Sequence, residues 1–339
     1  MIETTRTRTR RWRLIVVGAV VAVLVGEAVW AWSDLVEALS ELRSPHPGLV
    51  LVAVFAAITS MRAYARMQRR LLASAGIRVP LVRHIQLAYA AHSLSVTLPG
   101  GPAFSTSFNY KQMRRFGASA GIASWCIALS GILSATALAL ISAAAGIAAG
   151  GTPAWPTLAG LLTAVVLITI GVTRIARNPQ TLHRITRGGM AGVNKVRRRP
   201  PEHGVDRIAG FLDQLRAVRL GPANATVAVA YAVANWLLDA VCLWMCCLAV
   251  GAESITTTQL LVAYCAGMAA ASIPVVPGGL GVIDSALILG LVAGGLAGST
   301  AIAAVVLYRL ISLGFIVGAG WIMWILMRRR TTREFSPAS

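Results

Sequence analysis

Two near-matching helix breakers, set inside runs apolar enough to cross a bilayer, constrain this chain more than any other feature. One reads Leu98-Pro99-Gly100-Gly101-Pro102; the other, about 178 residues on, reads Val276-Pro277-Gly278-Gly279-Leu280-Gly281. Proline lacks a backbone donor and glycine is a poor helix former, so neither loop continues a helix. In hydrocarbon, broken backbone is tolerated only where protein buries it or where it lines a cavity. Paired interruptions in corresponding positions of two halves are the best sequence pointer to a transporter's binding site.

The rest of the chain fits that setting. Of 339 residues, 56% are hydrophobic and 13% charged, against roughly 25% charged in a soluble domain. The expected fold is all-α integral membrane: six spanning helices plus two re-entrant helical hairpins. The spans are expected at 14–32, 48–66, 119–149, 154–173, 222–250 and 300–327. The stretches 80–116 and 258–297 are incomplete, each cut by its Pro-Gly-Gly. The Arg-rich start reads as a retained first helix, because Glu27, Trp30 and Trp32 stand where a signal peptide would carry a small-residue cleavage site. Cys126, Cys242, Cys246, Cys247 and Cys265 all fall in apolar runs, as small buried residues do, and suggest neither disulfides nor a metal.

Charge sets orientation. The net charge of +19 is carried by short loops beside apolar runs, which is the positive-inside pattern rather than a nucleic-acid surface. Arg6, Arg8, Arg10, Arg11 and Arg13 place the N-terminus in the cytosol. Asp34, Glu37 and Glu41 mark the next loop as outside. Arg66, Arg69, Arg70, Arg78 and Arg83 precede the first interrupted stretch, and Lys111, Arg114 and Arg115 follow its loop, so that stretch enters from the cytosol and returns to it. The second enters from outside and returns there. Arg328, Arg329 and Arg330 place the C-terminus in the cytosol.

The halves, about 10–150 and 151–330, thus form an inverted repeat within one transmembrane domain, followed by a tail at 331–339. Segment 174–219 holds eleven Lys and Arg against three acids and is the one sizeable cytosolic loop. Its Val205, Ile208, Phe211, Leu212, Leu215 and Val218 recur at helical spacing. That fits a basic amphipathic helix on the inner leaflet or a connector packed on the spans.

Both Pro-Gly-Gly loops open a helix. Pro99, Gly100 and Gly101, with Pro277, Gly278, Gly279 and Gly281, are candidate substrate contacts, since exposed amides at a helix start bind anions. Tight turns without a ligand are the alternative. Ionisable residues at membrane depth come next. Arg309 lies in the last span, Asp284 opens the helix after the second loop, and Asp239 shares a face of the fifth span with Asn235. Asp284–Arg309 and Asp239–Arg309 are the expected pairings, either structural or functional. Glu27 either joins the charge balance or reaches interfacial water. Arg62 is expected to snorkel. His84 and His92 flank the helix before the first loop, as polar contacts or, for His92, as a titrating group. The run Ser105-Thr106-Ser107-Phe108-Asn109-Tyr110-Lys111, with Arg114 and Arg115, either lines a headgroup groove or lies at the interface.

No Walker A motif, paired metal-ligand motif or Gly-x-Ser-x-Gly elbow occurs, so ATP-driven transport and common hydrolytic mechanisms lack support. No cofactor, metal or nucleic acid is expected.

The stretch Ile273-Pro274-Val275-Val276-Pro277-Gly278-Gly279-Leu280-Gly281-Val282-Ile283-Asp284, with Tyr308-Arg309, resembles the signature of flippase-like integral membrane proteins. These correspond to the transmembrane part of lysylphosphatidylglycerol synthases. Leu98-Pro99-Gly100-Gly101-Pro102-Ala103 and Met113-Arg114-Arg115-Phe116-Gly117 resemble that family's other motif, and the resemblance covers most of residues 10–330. The family usually has Glu where Asp284 stands. It commonly has an acid after the first glycines, where this chain has Phe104-Ser105-Thr106-Ser107. No aminoacyl-transferase domain follows residue 330, so synthase activity is not expected.

The resemblance implies lipid translocation. The expectation is a flippase, not an enzyme, in a bacterial cytoplasmic membrane, with membrane lipids of anionic or phosphate-bearing headgroup as partners and a homodimer as the candidate assembly. Asp239 and Asp284 would balance Arg309 or carry protons. The alternatives are a scaffold recruiting a cytosolic partner through 174–219 and a membrane-embedded lipid-modifying enzyme.

Overall fold

A computed structural model describes residues 45–98, 100–150, 220–252, 254–271, 279 and 281–334. The spans expected at 14–32 and 154–173, Glu27, segment 174–219, Pro99, Pro277 and Gly278 lie outside the described residues. Those described form helices α1 (Pro47–Ser74), α2 (Leu81–Thr97), α3 (Gly101–Arg115), α4 (Ala120–Ala148), α5 (Pro222–Ala249), α6 (Thr257–Ala270), α7 (Val282–Ala293) and α8 (Gly298–Arg309). A π-helical segment, Leu310–Phe315, then leads into α9 (Ile316–Glu334). α9 runs past residue 331, where the sequence suggested a tail.

Helix starts follow local chemistry. Proline sits in the first turn of α1, α3 and α5, where a missing N–H costs nothing. Ser119 caps α4 by accepting from the Ile122 N–H at 3.3 Å. Thr256 and Gln259 cap α6 reciprocally: Thr256 Oγ1 accepts from the Gln259 N–H at 3.3 Å, and Gln259 Oε1 accepts from the Thr256 N–H at 3.0 Å.

Among the described residues, four helices are long and apolar enough to cross a membrane: α1, α4, α5 and the continuous stretch Gly298–Arg328. The chain is a multi-pass membrane protein. Each Pro-Gly-Gly divides a pair of shorter helices, α2 with α3 and α6 with α7, and the members of each pair pack on each other. α1 is longer than the expected 48–66 span, carrying Arg62, Arg66, Arg69 and Arg70 as exposed side chains on its second half.

Packing between the halves is reciprocal. α1 and α5 form the central contact; α2 of the first pair packs on α9 of the second half, and α6 of the second pair packs on α4 of the first. Two apolar clusters result. One joins α5, α6, α7 and α8 around Tyr264 and Leu287; the other joins α1, α2, α3 and α4 around Met67 and Met113. All five cysteines are buried, as expected.

Close helix approach rests on small residues, as is usual where lipid supplies no hydrophobic drive. Ser93 Oγ on α2 donates to the Val317 carbonyl of the last span at 2.9 Å. A Cβ on Gly320 would stand 1.9 Å from Ser93 Oγ and 2.3 Å from the Tyr89 carbonyl oxygen. Gly320→Ala should therefore push α2 and α9 apart and destabilise the protein by about 1–3 kcal/mol. Gly318→Ala, which meets nothing within 4 Å, should be neutral. A thermal melt in detergent, followed with a thiol-reactive dye as the buried cysteines become exposed, measures both.

Candidate functional site

Three ionisable residues lie well inside apolar helices. At 1.5 Å per residue, Asp239 lies roughly 15 Å along α5 from Ala249. Arg309 lies roughly 16 Å into the last span from Gly298, and Asp284 roughly 14 Å along α7 from Ala293. Charges this far from water have to be paired. Arg309 Nε donates to Asp284 Oδ1 in an ion pair whose side chains are 15% and 23% exposed. Asp284 Oδ2 also accepts from the Gly281 N–H at 2.8 Å. Asp284 is thus fixed by a cation, a backbone amide and the positive end of α7.

Asp239 has a different setting. Its Oδ2 accepts from the Tyr264 hydroxyl at 2.7 Å and from the Tyr308 hydroxyl at 2.9 Å. One carboxylate thereby ties α5 to α6 and α8. Both tyrosines are almost fully buried.

A cavity of about 370 Å³ opens beside these groups. Every helix from α1 to α9 reaches it, through residues such as Tyr64, His92, Asn109, Ser134, Asp239 and Arg309. Its walls are held by interhelical bonds: Ser60 Oγ donates to the Asn235 carbonyl at 2.9 Å, and Trp236 Nε1 donates to the Ser134 carbonyl at 2.8 Å. Trp236 packs against both apolar clusters, so the cavity lies where they meet. Three buried polar atoms on its lining have no hydrogen-bond partner among the described residues: Asn109 Oδ1, Arg309 Nη2 and Ser312 Oγ. Asn109 is only 6% exposed. Buried polar atoms are normally satisfied, so such a group calls for an unseen partner. Two donors and one acceptor around a small chamber are suited to an oxygen-rich polar ligand.

The structure brings together some expected residues and separates others. Asn109, Asp239 and Arg309 border the cavity, and Asp284 reaches it through Arg309. The expected Asp239–Arg309 bond is replaced by the two tyrosine bonds. Arg114 and Arg115 are exposed at the far end of α3, where Arg114 Nη1 donates to the Ala118 carbonyl at 2.7 Å. They sit roughly 20 Å from the α3 start and do not line the cavity.

The helix starts also differ from expectation. The Gly101 N–H donates to the Leu98 carbonyl at 2.8 Å, Pro102 has no N–H, and the Ala103 N–H donates to the Gly100 carbonyl at 2.9 Å. Gly100 adopts φ +69°, and a Cβ on Gly101 would stand 2.0 Å from the Ser95 carbonyl oxygen. These glycines make a tight turn between packed helices, and the Gly101 and Ala103 amides are not free for an anion. At the second loop, Asp284 takes the Gly281 amide, so the protein's own carboxylate fills the anion position. Gly279, at φ +61°, is pressed against Ile283.

His92 borders the cavity, whereas His84 is buried against Phe116. The polar run after the first loop splits in two: Ser105 and Asn109 face the cavity, while Thr106, Ser107 and Tyr110 face a groove against α4. Tyr64, Tyr264 and Ser312 were not singled out from the sequence. Their signal is polar spacing of four within apolar spans, as in Ser60/Tyr64 and Tyr308/Ser312.

Residues 13–320 match the family model described as lysylphosphatidylglycerol synthase TM region. A search of the curated proteins finds no match.

Removing one partner of a buried ion pair strands the other. Asp284→Ala should cost about 3 kcal/mol of stability. Asp284→Ala combined with Arg309→Leu should be less destabilised than Asp284→Ala alone. Thermal melts of the wild type, both single variants and the double variant decide this; a double variant worse than Asp284→Ala contradicts it.

Proposed function

The chain belongs to the lysylphosphatidylglycerol synthase transmembrane-region family, and from that premise we propose that it is a flippase, moving a lipid with a phosphate-bearing headgroup between leaflets. The observation that carries this reading is the set of unpartnered atoms on the cavity lining, Arg309 Nη2, Ser312 Oγ and Asn109 Oδ1. A phosphate oxygen accepts from the first two, and a headgroup hydroxyl or amine donates to the third. At about 370 Å³ the cavity is at the small end of ligand sites. It has room for a headgroup, while the acyl chains stay in the lipid.

The proposed cycle uses the two broken helix pairs as re-entrant hairpins of an inverted repeat, dipping from opposite faces with both termini in the bacterial cytosol. Reciprocal packing of α2 on α9 and α6 on α4 supports it. Each half's hairpin then moves against the other half's last span, opening the cavity to one side at a time. The protein binds and releases the lipid chemically unchanged.

Dithionite accessibility of fluorescent lipids in proteoliposomes tests the reading, with phosphatidylglycerol, an aminoacylated phosphatidylglycerol and a polyprenyl phosphate as probes. Wild type should hasten loss of inner-leaflet signal for at least one probe. Arg309→Ala, shown to be folded, should fall to the protein-free rate. Asn109→Leu should slow the rate about tenfold, the equivalent of one hydrogen bond of roughly 1.4 kcal/mol. Chemical change of a probe, seen by mass spectrometry, would favour an enzyme. Unassisted rates for all three probes in folded wild type would remove the transporter reading.

A further inference from the structure

We propose that Asp239 is the proton-carrying residue of this transporter, taking up one proton with each headgroup that enters the cavity; the proposal rests on the flippase reading above. Charge counting motivates it. Asp239 and Asp284 stand against one guanidinium, Arg309, so with His92 neutral these groups carry one net negative charge. A phosphate-bearing anion would raise that to two, at a depth where uncompensated charge is expensive. A proton arriving with it restores the balance.

The two carboxyls are not equivalent candidates. Asp284 is bound as an anion by Arg309 Nε, by the Gly281 amide and by its place in the first turn of α7. Protonating it would break that set. Asp239 lies mid-helix; among the described residues its hydrogen-bond donors are two neutral hydroxyls, and both tyrosine bonds go to the same atom, Oδ2. A proton on Oδ1 leaves both bonds in place. The carboxyl can thus pass between its charged and neutral forms without releasing α6 or α8, while bordering the chamber the headgroup enters.

Among the described residues, the groups facing Asp239 are few. α6 presents Tyr264, and α8 presents Tyr308 and Arg309. α1 presents Tyr64, α2 presents His92 and α4 presents Ser134 across the cavity. On α5 itself, Cys242 lies one turn on. Only Asp239 among these is a carboxyl with direct access to the cavity. In the cycle, an O–H bond forms on Oδ1 with a proton from water on the loading side. It breaks to release that proton to water on the other side, so nothing else is consumed.

The test is gradient-driven transport in phosphatidylglycerol proteoliposomes carrying a short-chain fluorescent phosphatidylglycerol, read by albumin back-extraction. With the lumen one pH unit more acid than the outside, proton activity differs tenfold, so the lipid should accumulate outward by up to about tenfold over the level reached without a gradient. Reversing the gradient should reverse the accumulation. Asp239→Asn, a mimic of the neutral form, should equilibrate the lipid without accumulating it, and Asp239→Glu should accumulate it again. Because Asp239→Asn disturbs a three-helix junction, Tyr264→Phe with Tyr308→Phe gives a second readout. It removes both donated bonds to the carboxylate, so the pH midpoint of transport should move up. Three results overturn the proposal while leaving a flippase: accumulation that ignores the gradient in wild type, accumulation retained by Asp239→Asn, or an unmoved midpoint in the double variant. Absence of any wild-type transport overturns both.

Discussion

A guanidinium fixed near the middle of a bilayer has to be neutralised, and much of the structure is arranged around doing so for Arg309. Its partner comes from another helix: among the described residues, the acid paired with it is Asp284, on α7. The pair therefore dictates that the second broken helix restarts beside the last span at that depth. It also dictates how α7 starts, since the same carboxylate turns back to cap the Gly281 amide. Gly281 needs φ +81° to present that amide, which a side-chain-bearing residue adopts only under strain. A glycine, an acid three residues on and an arginine one helix later thus form one unit, and breaking any member exposes the others.

The same demand for satisfied polar groups explains why the Gly101, Ala103 and Gly281 amides are not open anion sites. The anion argument assumes helix-start amides that lack partners. In lipid such amides are too costly to leave unpaired in the absence of ligand. The described part of each loop meets that cost internally. The first closes Gly101 onto Leu98, uses Pro102 to delete one donor and bonds Ala103 to Gly100; the second recruits Asp284. Among the described residues, the unpartnered atoms on the cavity lining belong to side chains, Arg309, Asn109 and Ser312. Flexible side chains can exchange water for a headgroup at less cost than a rigid turn can.

Helix positions were largely legible in the sequence because long apolar runs, proline starts and glycine breaks are local signals. The runs expected at 119–149 and 222–250 became α4 and α5 with ends shifted by a residue or so, and both interrupted stretches became helix pairs. The Arg309–Asp284 pairing was legible too, since so few charges lie in apolar sequence. The site was legible only in part. Arg114 and Arg115 follow the first loop in sequence, but fourteen residues of helix carry them away from it. Tyr264 was not singled out, and Tyr308 entered only through the family signature, because a hydroxyl's partner is set by which helices meet. The π-helical segment after Arg309 has no sequence marker of its own, yet wider turns of this kind often occur at functional positions.

Having two carboxyls beside one arginine is best understood as a division of labour. If both acids neutralised Arg309 directly, the cluster would be a rigid triad with no group free to respond to a ligand. The structure instead gives Arg309 to Asp284 through Nε and leaves Nη2 at the cavity. Asp239 is held by hydroxyls, which accept as well as donate and so tolerate either protonation state. The fixed charge and the variable one are separated by a single residue, Tyr308, whose neighbour Arg309 carries the fixed pair while its own hydroxyl holds the variable acid. Any shift of α8 that follows a headgroup at Arg309 is therefore felt at Asp239 through the adjacent peptide. Charge balance and helix movement are coupled there by chain connectivity alone.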